Sequence, residues 1–312
     1  MKLNLQGVRN TLRRTPFPTV VVVETIAFCN LKCVMCPQPN LKRQRGEMDF
    51  EVFKKIADEI AYENPSTDLW LAIMGEPLIM GDKLIEMIKY AKCKGIEKVH
   101  LNTNACLMTG DMAQKLINSG IDEIIIGMDA FTKETYERIR VEGNYNETVK
   151  NVEYFLIKKQ EMDKDKPHLI VQFIVMYENE HEVEAFKNYW LEKGAIVKIR
   201  PRLGWGTGVN ADNLNLPDTE RDFPCPWLIR TVSIQWTGKF NQCDADFEGT
   251  YSPGDIRTKS IKEVWNGELA ARREKHWNMN FSHDLCKQCK DWQAGRSLFY
   301  YPEDFRRGNY NA

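Results

Sequence analysis

From about residue 18 to residue 200, short apolar runs rich in β-branched residues alternate with stretches whose apolar positions recur three and four residues apart. The first kind reads as buried strands and the second as amphipathic helices, which together predict a parallel α/β domain. Six runs qualify: "TVVVVETIAF" (19–28), "DLWLAIM" (68–74), "KVHLNT" (98–103), "EIIIGMD" (123–129), "HLIVQFIVM" (168–176) and "AIVKIRP" (195–201). Between them, Val52, Phe53, Ile56, Ala57 and Ile60 share one helical face behind Asp49 as N-cap. Leu84, Ile85, Ile88 and Ala91 repeat the pattern up to Gly95. Met112, Ala113, Leu116 and Ile117 follow Thr109 as a cap and stop at Gly120. Val149, Val152, Phe155 and Leu156, then Val183, Phe186 and Trp190, supply two further helices. Right-handed crossovers would curl six such units into a (β/α)6 barrel of the TIM type or part of one.

The rhythm breaks after residue 201 into "PRLGWGTGVNADNLNLPDTERDFPCPW", dense in turn formers. Beyond it stand a hairpin-like stretch, "RTVSIQWTGKFNQCDAD", a helical piece, "SIKEVWNGELAARREKHW", and the pair Cys286 and Cys289. The expected organisation is an N-terminal extension (1–18), the partial barrel (19–202), a linker (203–224) and a small C-terminal domain (225–312).

Composition narrows the partners. Lys plus Arg (43) nearly balances Asp plus Glu (44), so no global field favours nucleic acid or an anionic membrane surface. The N-terminus lacks an apolar core of signal-peptide length, and no apolar run approaches the roughly 20 residues of a membrane span. A cytoplasmic protein is expected. In that reducing compartment, nine cysteines point to metal binding or redox chemistry ahead of disulfides.

Cys29, Cys33 and Cys36 form C-x3-C-x2-C in the loop after the first predicted strand. A disulfide needs an even number of thiols and a closed zinc site needs four ligands. Three thiolates on a cubane 4Fe-4S cluster leave one iron free for a small molecule. A zinc site, or three unrelated structural cysteines, is the alternative. With the loop at the C-terminal rim of the barrel, this sequence resembles the radical S-adenosylmethionine (radical SAM) superfamily, whose signature is this spacing after the first barrel strand.

The resemblance covers roughly residues 18 to 200 and implies a set of SAM contacts. "AIMGEPLI" is close to the family's Gly-Gly-Glu-Pro motif, with Met74 at the first glycine, then Gly75, Glu76 and Pro77. Glu76 is expected to accept from the SAM amino group, and Gly75 to let backbone approach the methionyl part. "LNTNAC" places Asn102, Thr103 and Asn104 at the rim. "IGMDA" offers Asp129 to the ribose hydroxyls, with Gly127 where relatives commonly carry serine. Gln172 is expected at the methionyl carboxylate and Met35 against adenine. The reduced cluster of the family cleaves SAM to a 5′-deoxyadenosyl radical that abstracts a substrate hydrogen, fed by a flavodoxin- or ferredoxin-type reductant.

Cys225, Gly238 and Cys243 form C-x12-G-x4-C, and Cys286 and Cys289 form C-x2-C. Spacing alone fits zinc or a fully ligated cluster. The pattern resembles the SPASM extension, yet Gly295 stands where its next cysteine would be, so the shorter twitch relative, with one auxiliary 4Fe-4S cluster, is the better likeness. Asp244 and Asp246 read as turn formers. The resemblance thus implies two 4Fe-4S clusters and SAM.

Full ligation suits electron transfer, which points to dehydrogenation of a sugar, an amino-cyclitol or a similar small molecule. Lys198, Arg200 and Arg202 alternate at the end of the sixth run, so they share a face and are the candidate basic residues. An epimerase reading needs a thiol hydrogen donor, for which Cys106 is the candidate, Cys93 falling on a helix. A peptide maturase is a third reading, although fewer than 20 residues precede the first strand and leave no room there for a leader-binding module. The non-enzymatic alternative is an iron-sulfur scaffold or redox sensor.

Overall fold

The computed structural model describes residues 15–209, 221–293 and 297–306. Most of the N-terminal extension, the middle of the predicted linker and Gly295 lie outside the described residues. Each of the six predicted runs contains a strand. In chain order the elements are β1 (Val20–Val23), α1 (Phe50–Glu63), β2 (Asp68–Leu71), α2 (Asp82–Cys93), β3 (Val99–Thr103), α3 (Gly110–Ile117), β4 (Glu123–Gly127), α4 (Lys133–Ile139), α5 (Tyr145–Glu161), β5 (His168–Val175), α6 (Val183–Glu192) and β6 (Ile196–Pro201). Among the described residues no helix is long and apolar enough to cross a membrane.

Local chemistry explains most boundaries. The Asp49 carboxylate accepts from the Glu51 N–H at 2.8 Å and caps α1 as expected. Thr109 stands at the N-cap of α3 in extended conformation as expected, but its hydroxyl makes no capping bond. The first run ends as a strand at Val23, earlier than its apolar pattern suggests, because the next residue, Glu24, is fully buried. Its carboxylate accepts from Arg43 and from the Trp236 N–H, 3.1 Å away, and that side-chain partnership turns the chain into the cysteine loop. The short α4 has no counterpart in the predicted helices; the Thr132 hydroxyl starts it by accepting from Thr135 N–H at 3.4 Å.

β1 to β6 pair in parallel and in sequence order. The region after residue 225 contributes α7 (Pro226–Arg230), β7 (Thr231–Ile234), β8 (Phe240–Asn241), α8 (Ile261–Asn266), α9 (Glu268–Trp277) and β9 (Leu298–Tyr300). The predicted hairpin is β7–β8, and β7 also lies parallel to β1, Val20 beside Thr231 through Val23 beside Ile234. β9 pairs antiparallel with β6. The sheet order is therefore β8-β7-β1-β2-β3-β4-β5-β6-β9, with the C-terminal segment covering both edges of the six-stranded unit.

The two-residue strand period sorts the faces. Val21, Val23, Leu69, Leu71, Val99, Leu101, Ile124, Ile126, Val171, Phe173 and Val197 belong to the main core, which also takes the apolar faces of α1, α2, α3 and α6. The alternate positions carry Trp70, His100, Asn102, Glu123, Gln172, Lys198 and Arg200 beside Val22, Ile125, Ile170 and Ile174, so the opposite face is the one that holds the sheet's polar side chains. There the His100 ring stacks on Trp70 with centroids 4.3 Å apart and its Nδ1 lies 3.0 Å from Glu123.

Candidate active site

The loop after β1 carries the first three cysteines and is held by main chain. Lys32 N–H donates to the Val141 carbonyl at 2.9 Å, Val34 N–H to that of Ile139 at 3.0 Å, and Ala27 N–H to that of Gly46 at 2.8 Å. Cys29, Cys33 and Cys36 are all free and partly buried. Burial pushes the Cys29 thiol up to about 11 and that of Cys36 up to about 12, and it raises Cys33 as well. Cationic iron would reverse this, since a coordinating thiol is deprotonated.

Gly75 sits beneath this loop at φ +90°, and a Cβ there would lie 2.2 Å from the Ile26 carbonyl oxygen and 2.8 Å from that of Phe28. The glycine is thus required by the entry to the cysteine loop itself, whatever approaches from the solvent side. The next residue, Glu76, donates its N–H to Phe28 O at 2.8 Å. Its buried carboxylate accepts from Thr103 Oγ1 (2.6 Å), Asn104 N–H (2.7 Å) and Leu78 N–H (3.0 Å). Burial still raises its pKa, against these three bonds. Pro77 opens the turn Pro77–Met80.

Asn104 does more than its motif suggests. Its side-chain amide donates to Asn30 Oδ1 at 2.8 Å and lies 3.9 Å from Cys29 Sγ, linking the end of β3 to the cysteine loop. Asn102 is exposed on the polar face. Gln172 is nearly buried in the row Gly127–Gln172–Lys198 across β4, β5 and β6. Met35 packs with Ile139, Ile174, Met176 and Cys33. Cys106 faces Thr148 Oγ1 (3.4 Å) and Tyr136 OH (3.8 Å), residues of α5 and α4. Cys93 is exposed on α2.

Asp129 is fully buried, and both of its oxygens are in use. Oδ2 accepts from Arg140 Nε at 2.9 Å and also from Nη2, and Oδ1 accepts from Ile174 N–H at 2.8 Å. A ribose contact at Asp129 would have to share these partners. Arg140, which the motif reading passed over, is buried and also reaches Cys33 Sγ at 3.8 Å. Its signal was the missing serine: a Cβ on Gly127 would stand 2.1 Å from Arg140 Nη2, so glycine makes room for the guanidinium.

Arg202 closes over the cysteine loop, donating to the Val34 carbonyl at 3.3 Å, and Trp205 Nε1 donates to that of Met35 at 3.2 Å. Lys198 and Arg200 have their side chains on the polar face. Burial, then the charge of Arg200, lowers Lys198 to about 8.

The second cysteine set gathers around the end of the β7–β8 hairpin. Cys225 precedes α7 and Cys243 follows β8. Burial first, then the charges of Cys225, Cys289 and Cys286, lifts Cys243 far above the ordinary thiol value, which marks the four as neighbours. Gln242 donates its amide to Cys286 Sγ at 3.6 Å while its oxygen accepts from Arg272 at 2.7 Å. The Asp291 carboxylate accepts from Gly204 N–H (2.6 Å) and Gly206 N–H (2.8 Å), tying this set to the stretch after β6. Asp246 is a turn former as expected, accepting from Gln242 N–H at 3.1 Å; Asp244 instead binds the Ser233 hydroxyl on β7. Among the described residues no three His, Cys, Asp or Glu side chains stand close enough to hold a single metal ion. As donor sets, three thiols flanked by amide and guanidinium N–H groups, and four with a donor at Cys286, fit thiolate-ligated clusters.

Known proteins share both patterns. The sequence model of the radical SAM superfamily matches residues 23–189, and that of the SPASM iron-sulfur cluster-binding domain matches residues 225–290. The chain belongs to the radical SAM superfamily and is an enzyme of that class, with a SAM-binding 4Fe-4S cluster and an auxiliary cluster.

Among its relatives, it is 25% identical over 289 residues to the tungsten-containing aldehyde ferredoxin oxidoreductase cofactor-modifying protein of Pyrococcus furiosus, covering 79% of this chain and 80% of that one. It is 29% identical over 176 residues to a probable GTP 3′,8-cyclase of Methanococcus maripaludis, covering 55% of this chain and 54% of the cyclase, so it spans about half the length of that relative. Its fold is similar to that of BtrN in complex with AdoMet and 2-DOIA (TM-score 0.63, 18% identity, 87% of this chain and 92% of BtrN). It is also similar to Streptococcus suis SuiB bound to precursor peptide SuiA (TM-score 0.69, 13% identity, 92% of this chain and 73% of SuiB). The likenesses to these radical SAM structures give the architecture as a partial TIM barrel.

One expected result follows from the Glu76 geometry. Glu76→Gln keeps the shape but removes the charge expected to meet the SAM ammonium. A charge-assisted bond is worth roughly 1.5–3 kcal/mol, so SAM should bind about tenfold to a hundredfold more weakly by calorimetry. An unchanged dissociation constant would contradict the contact.

Proposed function

We propose that the chain catalyses a radical dehydrogenation of a polar small molecule, a sugar or amino-cyclitol in type. The single observation that carries this reading is the place of Lys198, a half-buried amine beside Gln172 in the strand row of β5 and β6, where burial lowers it to about 8. A group with that pKa exchanges protons near neutral pH. On this reading Cys29, Cys33 and Cys36 hold the SAM cluster, and Cys225, Cys243, Cys286 and Cys289 the auxiliary one. Residues 19–202 form the catalytic barrel, 203–224 the linker and 225–312 the auxiliary domain.

When bound at these cysteines, the two clusters and SAM would supply the hydrogen-abstracting radical and the electron acceptor that a two-electron oxidation needs. Lys198 Nζ takes the remaining proton. Glu76, Thr103 and Asn104 form one preorganised unit that orients SAM, while Gln172 lies in the same strand row as Lys198. Arg202 and Trp205 brace the cysteine loop from the β6 side. A flavodoxin- or ferredoxin-type protein is the electron source this reading requires. Cys106 faces Tyr136 and Thr148, which gives an epimerase less support.

The test is an anaerobic reaction of reconstituted protein with SAM, dithionite and a panel of sugars and cyclitols in deuterated water. A product two hydrogens lighter, with one 5′-deoxyadenosine per product, supports the proposal. A product carrying one solvent deuterium at the abstracted carbon would mean epimerisation and overturn it.

Because the base acts when neutral, turnover should rise with pH up to about 8 and level off above it. The charges that set this limb are Arg200 and Arg230, which lower Lys198, and Glu123, which raises it; the Phe299 ring lies 5.5 Å from Nζ. Lys198→Met should remove the limb from the pH profile of product formation. A limb that survives would remove Lys198 from the role.

A further inference from the structure

We propose that the inward edge of β6 binds an anionic group of the substrate, a phosphate ester or a carboxylate, with Arg200 as its principal grip. This rests on the reading of the barrel's polar face as the substrate site and adds to it the charge of what enters.

Lys198, Arg200 and Arg202 alternate along the end of β6. Among the described residues none of the three makes an ion pair, although 20 other pairs do occur in this charge-balanced chain. Arg202 is nearly buried and spends one N–H on the Val34 carbonyl. The Nε atoms of Arg200 and Arg202 are both buried, and neither has a hydrogen-bond partner among the described residues. An unpaired buried donor on a cation is unfavourable unless something fills it.

The carboxylates that Arg200 senses are already engaged. Asp129 holds Arg140 and the Ile174 N–H, and Asp291 holds the N–H groups of Gly204 and Gly206. Glu123, which Lys198 senses, faces His100. In the strand beside β6, Lys198 is flanked by Gln172 and Arg200 by Ile174, both neutral. Among the described residues the row therefore carries an excess of positive charge without a compensating partner.

SAM brings one carboxylate, and one carboxylate neutralises one cation. The remaining positive charge calls for a second anion, and a planar guanidinium matches two oxygens of a phosphate or carboxylate at once. An anchored anion would also hold the reacting carbon at a fixed height beside Lys198, two residues below Arg200 on the same face.

The experiment needs no turnover, so it fails or succeeds separately from the dehydrogenation. Reconstituted protein saturated with SAM is dialysed to equilibrium against labelled inorganic phosphate in one arm and labelled acetate in the other. The expected result is one saturable site per chain for at least one probe; phosphate alone assigns a phosphate ester, acetate alone a carboxylate. Arg200→Met should weaken that binding about tenfold to a hundredfold, the loss of one charge-assisted contact, and Arg200→Lys should restore part of it. Iron content and circular dichroism check that each variant is folded. If Arg200→Met does not load iron, Arg200→Lys and Lys198→Met are compared instead, and each should still lower the affinity. Binding of neither probe, or equal binding by wild type and variants, overturns the proposal. So does a variant that loses SAM affinity while keeping its phosphate and acetate affinities, because the cation would then belong to the SAM carboxylate.

Discussion

Replacing Cys29, Cys33 and Cys36 together by alanine should abolish SAM cleavage and remove about half of the protein-bound iron. The three thiols come from one loop whose path is set by main-chain bonds to Val141, Ile139 and Gly46 and by the Gln38 side chain on the Ala27 carbonyl, 2.9 Å away. None of those bonds involves a thiol, so the loop should keep its course when the sulfurs go. The loss should therefore be chemical, with circular dichroism unchanged. Cys286→Ala with Cys289→Ala is the matched control: it should also lose about half the iron, yet retain cleavage to 5′-deoxyadenosine while losing product. Cleavage by the first triple variant would sink the active-site assignment. Full product from the second would remove the auxiliary cluster from turnover.

The second large effect is one of stability. Asp129→Ala leaves the buried Arg140 guanidinium without its counter-ion and the Ile174 N–H without its acceptor. Removing one partner of a buried ion pair costs about 3–5 kcal/mol, so the thermal midpoint should fall by several degrees. Adding Arg140→Met to Asp129→Ala should recover the part of that loss due to the lone charge, while the Ile174 N–H stays without its acceptor. An Asp129→Ala midpoint equal to wild type would show that the pair does not brace the floor of the site. The double variant also takes a donor away from Cys33, so its cluster should be reduced at a more negative potential.

How far the sequence alone reaches depends on the range of the interaction. Strands such as Ile124 to Ile126 are legible because a run of β-branched residues has few other uses. The cysteines are legible because ligand spacing within a loop is a local property. Glu24 is not: a charged residue after four valines gives no sign that Arg43 and the Trp236 main chain will bury it. Nor does anything local foretell that Thr231–Ile234 lies parallel to Val20–Val23, since that pairing joins residues more than 200 apart. Arg140 falls between these cases. Its position shows only once Gly127 is seen as space reserved for a side chain from elsewhere.

The placement of β7 on β1 and β9 on β6 bears on how the protein is made. Translation releases the six barrel strands first, and two rows of unpaired peptide groups stay open until residues 231–234 and 298–300 have followed. Open strand edges recruit other chains. Nascent protein is therefore most vulnerable to aggregation over the interval in which the auxiliary cysteines emerge, and whatever steadies that late segment also shortens the exposure. Substitutions at Cys243 or Cys286 should lower soluble yield before any assay of electron transfer begins. Comparisons between such variants belong on the fraction that has closed both edges.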